Sequence, residues 1–285
     1  MTRPALDAAS ASRTRPLDGK RIVLTRPLAQ ARDFETRVRA LGGEPVLAPA
    51  IEVVPPHTWT IPDAALRRVG TYDWVAFTSA NAAHAVVERA DAIGVDRNAI
   101  RARRLAVVGP ATATTVSAQL RVPDFVPSTH TAEALARELV DVENARVLLP
   151  RGDLADDTLP VALRSRGAFV DEVVVYRTVP GDGVATIVAG VRDGSIDALL
   201  FASASAVRFV ADAIAADAGG GRRGNTPNHA MGEPVAACLG PITAEAARAA
   251  GFERVVIADG TAQNELIDRV ALWFAQLESQ RGGSS

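Results

Sequence analysis

The chain has 285 residues, a length that favours two domains of roughly 100–150 residues each. Its net charge of −2, from 31 basic and 33 acidic residues, argues against a nucleic-acid surface, which would carry a basic stripe. Hydrophobic residues make up 48% of the chain, enough for sizeable cores, yet no run reaches the roughly 18–20 apolar residues of a membrane span.

Arginine supplies nearly all the positive charge, because Lys20 is the only lysine. The single cysteine, Cys238, lies in the apolar run Pro234–Leu239 and has no internal disulfide partner, which fits a reducing, cytoplasmic setting. It reads as a buried small hydrophobe. The first 18 residues lack the apolar core of a signal peptide, and 1–17 is expected to be a disordered tail.

In chain order, Arg21–Leu24 reads as a short buried strand. Leu28, Ala31, Phe34, Val38 and Leu41 follow at helical spacing, with Gly42-Gly43 as the stop. Pro45–Val54 is a second extended run, ended by Pro55-Pro56, and Ile61–Val69 a short helix. Strands at Asp73–Thr78 and Arg104–Val108 alternate with helices at Ser79–Ile93 and Ala111–Leu120. A short strand is expected at Asp124–Pro127 and a helix at Ala132–Val140.

The stretch Arg146–Pro180 then repeats Arg21–Pro55 at an offset of 125 residues: Arg21, Leu24, Arg26, Arg39, Gly42, Val54 and Pro55 recur as Arg146, Leu149, Arg151, Arg164, Gly167, Val179 and Pro180. The matched order of strand, Arg, helix, Gly, strand and Pro carries more weight than the identities. Ile51 becomes Tyr176 in the second copy. After Val170–Arg177 come a helix near Val184–Arg192, a strand at Asp197–Phe201 and a helix at Ser203–Ala216. Pro234–Leu239, Thr243–Ala250, Arg254–Ile257 and Ala262–Leu277 close the second copy. Gly219–His229 reads as a flexible loop and Gly282–Ser285 as a frayed tail. About ten short apolar strands alternating with helices predict an α/β protein of two doubly wound parallel-sheet domains.

In open α/β sheets, ligands bind at the carboxyl ends of the strands. Those ends carry Arg26 and Arg151; Ser79-Ala80-Asn81 and Ser203-Ala204-Ser205; Gly109-Pro110-Ala111-Thr112 and Gly240-Pro241-Ile242-Thr243; and Thr131 and Thr261. Ser and Thr there either cap helices, at about 1 kcal/mol each, or join free N–H groups in holding an anion. Arg26 and Arg151 offer forked donors that suit carboxylates, or pair with a neighbouring acid. There is no Walker loop, no metal-ligand spacing among His57, His84, His130 and His229, and no G-x-S-x-G elbow. The expected ligand is a multiply carboxylated or phosphorylated organic molecule, bound with no metal and no cofactor.

These residues resemble the uroporphyrinogen-III synthase family. The matching stretches are VLTRP (Val23–Pro27), YDWVAFTSANA (Tyr72–Ala82), VVGPATA (Val107–Ala113), LLPRGD (Leu148–Asp153), VVVYRT (Val173–Thr178), FASASAV (Phe201–Val207) and CLGPITA (Cys238–Ala244). The resemblance implies two flavodoxin-like α/β domains joined by a two-stranded linker, with the active site in the interdomain cleft. It implies that 18–54 and 179–280 form one domain and 55–178 the other, with linkers near 50–56 and 176–181. The repeat alone would cut the chain near Asn144.

The implied substrate is hydroxymethylbilane, a linear tetrapyrrole with eight carboxylates, closed to uroporphyrinogen III with inversion of ring D. Loss of the ring-A hydroxyl gives an azafulvene; ring D attacks through its substituted carbon, and the spiro intermediate fragments and recloses. Ser79, Asn81, Thr112, Ser203, Ser205 and Thr243 match the family's binding positions, and Tyr176 its tyrosine. A phenol is protonated at neutral pH, so Tyr176 either donates to the departing hydroxyl or only positions the substrate.

The chain is expected to be a monomer receiving its substrate by transient hand-over from hydroxymethylbilane synthase, with no nucleic-acid or membrane partner. The alternative is a non-catalytic tetrapyrrole-binding regulatory paralogue; it would be expected to carry a DNA-binding module, and none is read here.

Overall fold

The computed structural model of the chain describes residues 15–26, 32–217, 234–258 and 263–282. Most of the expected tail, Pro27, Leu28, Ala31, the Gly219–His229 loop and Thr261 lie outside them. The chain forms two compact units. One takes the chain up to Glu52 and again from Pro180; the other is Val53–Val179.

The first unit holds β1 (Arg21–Leu24), α1 (Arg32–Ala40), β2 (Glu44–Leu47) and the start of β3 (Ile51–Val54). The second adds α2 (Thr60–Arg67), β4 (Trp74–Phe77), α3 (Ala80–Ala92), α4 (Arg97–Arg101), β5 (Arg104–Val107), α5 (Pro110–Gln119), α6 (Ala132–Glu138), β6 (Arg146–Gly152), α7 (Thr158–Ser165) and β7 (Phe169–Pro180). The chain then returns to the first unit with α8 (Val184–Arg192), β8 (Ala198–Phe201), α9 (Ala204–Asp217), β9 (Val235–Cys238), α10 (Pro241–Ala249), β10 (Val255–Ile257) and α11 (Gln263–Gly282).

Each unit is built on one five-stranded sheet. The first has the order β10-β9-β8-β1-β2, and the second β3-β7-β6-β4-β5. The pairs β1/β2, β1/β8, β8/β9, β9/β10, β4/β5, β4/β6 and β6/β7 are all parallel. The two orders match over four strands once the repeat is used to align them: β6 and β7 take the places of β1 and β2, and β4 and β5 those of β8 and β9, while β10 and β3 are edge strands without a counterpart.

The register confirms the alignment. Arg21 pairs with Glu44 and Arg146 with Phe169, and both members are displaced by 125 (146 − 21 and 169 − 44). Gly42 and Gly167, identical in the repeat, have φ of 95° and 86°. Each ends a helix in the left-handed region that a side chain disfavours.

Sheets of this kind are buried on both faces, which is why β4, β8 and β9 read as continuous apolar runs. All four residues of each are buried. Phe77 and Leu148 pack with α3 on one face of the second sheet, while Leu149 and Val147 pack with α6 and α7 on the other. In the first unit, Phe201 and Val207 lie on one face, and Ile22 and Ile267 on the other. Each such side chain contributes about 1.5–3 kcal/mol.

Four local expectations need correction. The run Pro45–Val54 is two strands, broken at Ala48–Ala50, because it changes sheet there: β2 pairs with β1, and β3 with β7. Asp124–Pro127 is not a strand: Phe125 makes one isolated bridge to Ala106, and Asp124 instead accepts from the Leu105 N–H at 2.7 Å. The helix α4 was not expected; its signal is Asp96, which caps it by accepting from the Asn98 N–H at 2.8 Å. Finally, α11 extends to Gly282, where the frayed tail was expected to begin.

Candidate functional site

In the second unit, the strand order reverses direction between β6 and β4, so their carboxyl ends flank a crevice. β4 delivers Ser79. Its hydroxyl caps α3 by accepting from the Ala82 N–H at 3.1 Å. The same oxygen lies 3.2 Å from the Tyr176 hydroxyl. Asn81, in the first turn of α3, is exposed. Asn81, His84, Trp59, Arg89 and Tyr176 line one concavity of about 340 Å³. Thr112 lies in the first turn of α5, behind the turn at Gly109-Pro110, and its side chain is buried.

Tyr176 reaches Ser79 because of a β-bulge. Arg151 pairs with Val174, but the next residue, Gly152, pairs with Tyr176, so Val175 is the extra residue. In a regular strand, Tyr176 would point away from the face that Val173 and Val175 share. The bulge instead lets Val173, Val175 and Tyr176 all pack against the cluster that contains α3.

Arg151 behaves differently from its expectation as a substrate donor. Its guanidinium bonds to Glu172, to the Ala155 carbonyl, to Asp157 at 3.2 Å and to the Asp156 carbonyl at 2.8 Å. It is 7% exposed. Its fork is therefore filled by the turn between β6 and α7 and by β7, which is the neighbouring-acid alternative rather than the carboxylate-ligand one.

The first unit has the same reversal between β1 and β8. Thr25 is buried there and donates to the Leu200 carbonyl at 2.6 Å, tying the two strand ends together. Arg26 is partly buried over the Phe34 ring, 5.6 Å from its centroid. Burial pulls its guanidinium below the usual arginine value. Arg26 and Ala202 line one small pocket where the strands end. Ser203 accepts from the Ala206 N–H at 3.3 Å and lies 3.1 Å from Ser205 across the same turn. Gly240, with φ of 89°, starts α10, and Thr243 is buried in its first turn.

Ser79, Asn81 and Tyr176 are thus brought together in one unit, and Arg26 lies at the same kind of strand end as Ser203 and Ser205 in the other. Ser79, Thr131 and Ser203 all cap helices. Sequence reasoning missed the bulge at Gly152. The signal available was a glycine inside a strand pattern, which marks a bulge or a close approach. Among the described residues, no three His, Cys, Asp or Glu side chains are grouped to hold a metal ion. No helix among them is long and apolar enough to cross a membrane.

The family model described as uroporphyrinogen-III synthase HemD matches residues 32–268. The chain is 31% identical over 211 residues to the uroporphyrinogen-III synthase of Synechococcus elongatus, covering 72% of this chain and 78% of that one. It is 28% identical over 261 residues to the porphyrin biosynthesis protein HemD of Ruminiclostridium josui, covering 90% of this chain and 49% of the relative, so it spans about half of that protein.

Among solved structures, a mutant uroporphyrinogen III synthase from Thermus thermophilus superposes with a TM-score of 0.63 at 20% identity, over 89% of this chain and 99% of that one. The Helicobacter pylori enzyme gives 0.55 at 14% identity, over 89% and 98%. The structural likeness establishes the fold, and the sequence matches carry the kinship. With its repeat, its two doubly wound sheets and these matches, the chain belongs to the uroporphyrinogen-III synthase family.

Proposed function

We propose that the chain catalyses the dehydrative cyclisation of hydroxymethylbilane to uroporphyrinogen III, with Tyr176 as proton donor to the departing ring-A hydroxyl. The observation that carries the role is the hydroxyl pair of Ser79 and Tyr176, 3.2 Å apart at the switch point of the second sheet. Ser79 accepts from the Ala82 N–H, which leaves its single proton for Tyr176. With Ser79 donating to it, the phenol keeps its own proton for the substrate, and its developing phenolate is stabilised.

Donation expels water and leaves the protonated azafulvene, a cation that faces the phenolate. Ring D then attacks through its substituted carbon, and the spiro intermediate fragments and recloses on its other carbon. The proton released as ring D regains aromaticity restores the phenol. Asn81, Ser203, Ser205 and Arg26, with the free N–H groups at the starts of α5 and α10 beside Thr112 and Thr243, are the donors for the substrate carboxylates. Arg151 braces the turn after β6 instead. Much of the rate gain comes from holding the linear chain in a closing conformation.

The test couples the purified protein to a hydroxymethylbilane synthase and resolves the product isomers by chromatography. Type III product is expected. Type I alone, under conditions where a control synthase yields type III, refutes the activity. Tyr176→Phe tests the donor role separately: turnover is expected to fall by about 10²–10⁴, and unchanged turnover removes it.

A further inference from the structure

Tyr176 is held by more than Ser79. β6 ends at Gly152, while β7 continues to Pro180, so beyond Tyr176 the β7 backbone has no β6 strand beside it. Asp153 fills that place. Its backbone N–H donates to the Tyr176 carbonyl at 3.2 Å, and its Oδ1 accepts from the Thr178 N–H at 2.9 Å. The two bonds flank Arg177 and so hold the backbone immediately after the phenol-bearing residue. From the other side, the ring lies against the Gly152 backbone, where an added Cβ would stand 2.6 Å from Cζ and 2.8 Å from Oη.

We propose that Asp153 is a positioning residue for Tyr176: its carboxylate stands in for a missing strand and fixes residues 176–178, so that the phenol stays against Ser79. The proposal rests on Tyr176 being the proton donor. What the geometry requires of Asp153 is an acceptor at Oδ1, not a charge. Its side chain is exposed, so truncating it leaves the hydrophobic cores intact. A carboxylate acting instead by repelling a polyanionic substrate would show itself in KM, and equally in Asp153→Ala and Asp153→Asn.

The experiment is a double-mutant cycle in the isomer-resolved assay, with kcat and KM measured for each variant. Asp153→Ala is expected to lower kcat by about tenfold or more with little change in KM, because a misplacement of about 1 Å is costly to catalysis. Asp153→Asn, which keeps the acceptor, is expected to recover most of that loss. In the Tyr176→Phe background, Asp153→Ala is expected to cost almost nothing further.

Hydrogen exchange at the Thr178 amide is expected to accelerate in the Ala variant and not in the Asn variant. Equal losses from Asp153→Ala with and without the Tyr176 hydroxyl overturn the positioning role alone. Wild-type turnover by Tyr176→Phe overturns the donor reading, and the proposal falls with it. A KM effect shared by the Ala and Asn variants, with kcat intact, replaces positioning by charge repulsion.

Discussion

Replacing Gly152 with Ala adds one methyl group at the point where the Tyr176 ring crosses the backbone. That carbon would stand 2.6 Å from Cζ, 2.7 Å from Cε2 and 2.8 Å from Oη. Carbon atoms in good contact are about 3.5–4.0 Å apart, so the ring must withdraw by about 1 Å. Tyr176 is only half-buried, so the ring can swing outward rather than push into the core. The stability cost then falls within the overpacking range of about 1–3 kcal/mol, with the lost Ser79 hydrogen bond adding about 1 kcal/mol.

Turnover is more sensitive than stability. A displacement of about 1 Å at a reacting group costs on the order of 10²-fold in rate. Chemical denaturation and the isomer-resolved assay on the same preparation separate the two effects. The expected result is a folded protein, slightly destabilised, with kcat down by about 10² and KM close to unchanged. Full turnover in a stable Gly152→Ala protein would show that Tyr176 need not lie against Gly152, and the geometric basis of its role would be lost.

Arg151→Ala is expected to act on the fold more than on binding. It removes the donor shared by Glu172, Asp157 and two carbonyls; Asp157 is exposed and Glu172 keeps Arg164 at 2.8 Å, so the expected cost is about 1–3 kcal/mol, read from the denaturation midpoint. Cys238 is fully buried, and desolvation pushes its thiol up to about 12. Iodoacetamide should therefore label it only after unfolding. A raised value also means that the thiol's contribution to stability is intact below the unfolded pKa of about 8.5 and is lost as pH rises toward about 12.

A fourth prediction concerns Asp171, which accepts from the Tyr72 hydroxyl at 2.6 Å and from Arg68 at 2.9 Å. The Tyr72 bond, aided by Arg68, holds its carboxyl below the usual range. Its stabilisation is present above the unfolded pKa of about 3.9 and is lost as pH falls through the folded value. In Tyr72→Phe the acid-unfolding midpoint should move to higher pH; an unchanged midpoint would remove the bond as the cause. At the other limb, burial, reinforced by Asp171, raises the Tyr72 phenol. Stability from that group is present below its unfolded pKa of about 10 and is lost as pH rises through the folded value.

Much of the architecture was legible because it is written in short-range pattern. The helix read near Val184–Arg192 forms over those residues, and Ser79 caps its helix where a serine after an apolar strand would be expected to. Gly42 and Gly167 could be matched because both satisfy the same backbone requirement. Errors arose where local pattern was overruled. The run Pro45–Val54, which hydrophobicity alone would continue, changes sheet between β2 and β3, and Asp124 takes a strand neighbour's N–H with its side chain instead of its backbone.

At the site, residue types at strand ends suggested anion donors, yet Arg26 and Arg151, equivalent in the repeat, differ. Arg26 lies over Phe34, and the Arg151 fork is filled by Glu172, Asp157 and two carbonyls. Which acceptors approach a guanidinium depends on how the turn after β6 folds, and no spacing rule encodes that.

Periodicity and the 125-residue repeat were enough to establish that the chain is built of parallel α/β sheets, since burial on both sheet faces imposes apolar strands and amphipathic helices wherever they lie. Which strands share a sheet was a matter of tertiary pairing. Ile22 lies beside Ala198, 176 residues away (198 − 22), while Arg146, the repeat partner of Arg21, belongs to the other sheet. A cut near Asn144 would have separated strands that pair, such as β4 and β6. The bulge at Val175 was equally out of reach, because it exists only in the register between two strands. That register turns Tyr176 toward Ser79, and so decides which hydroxyls meet.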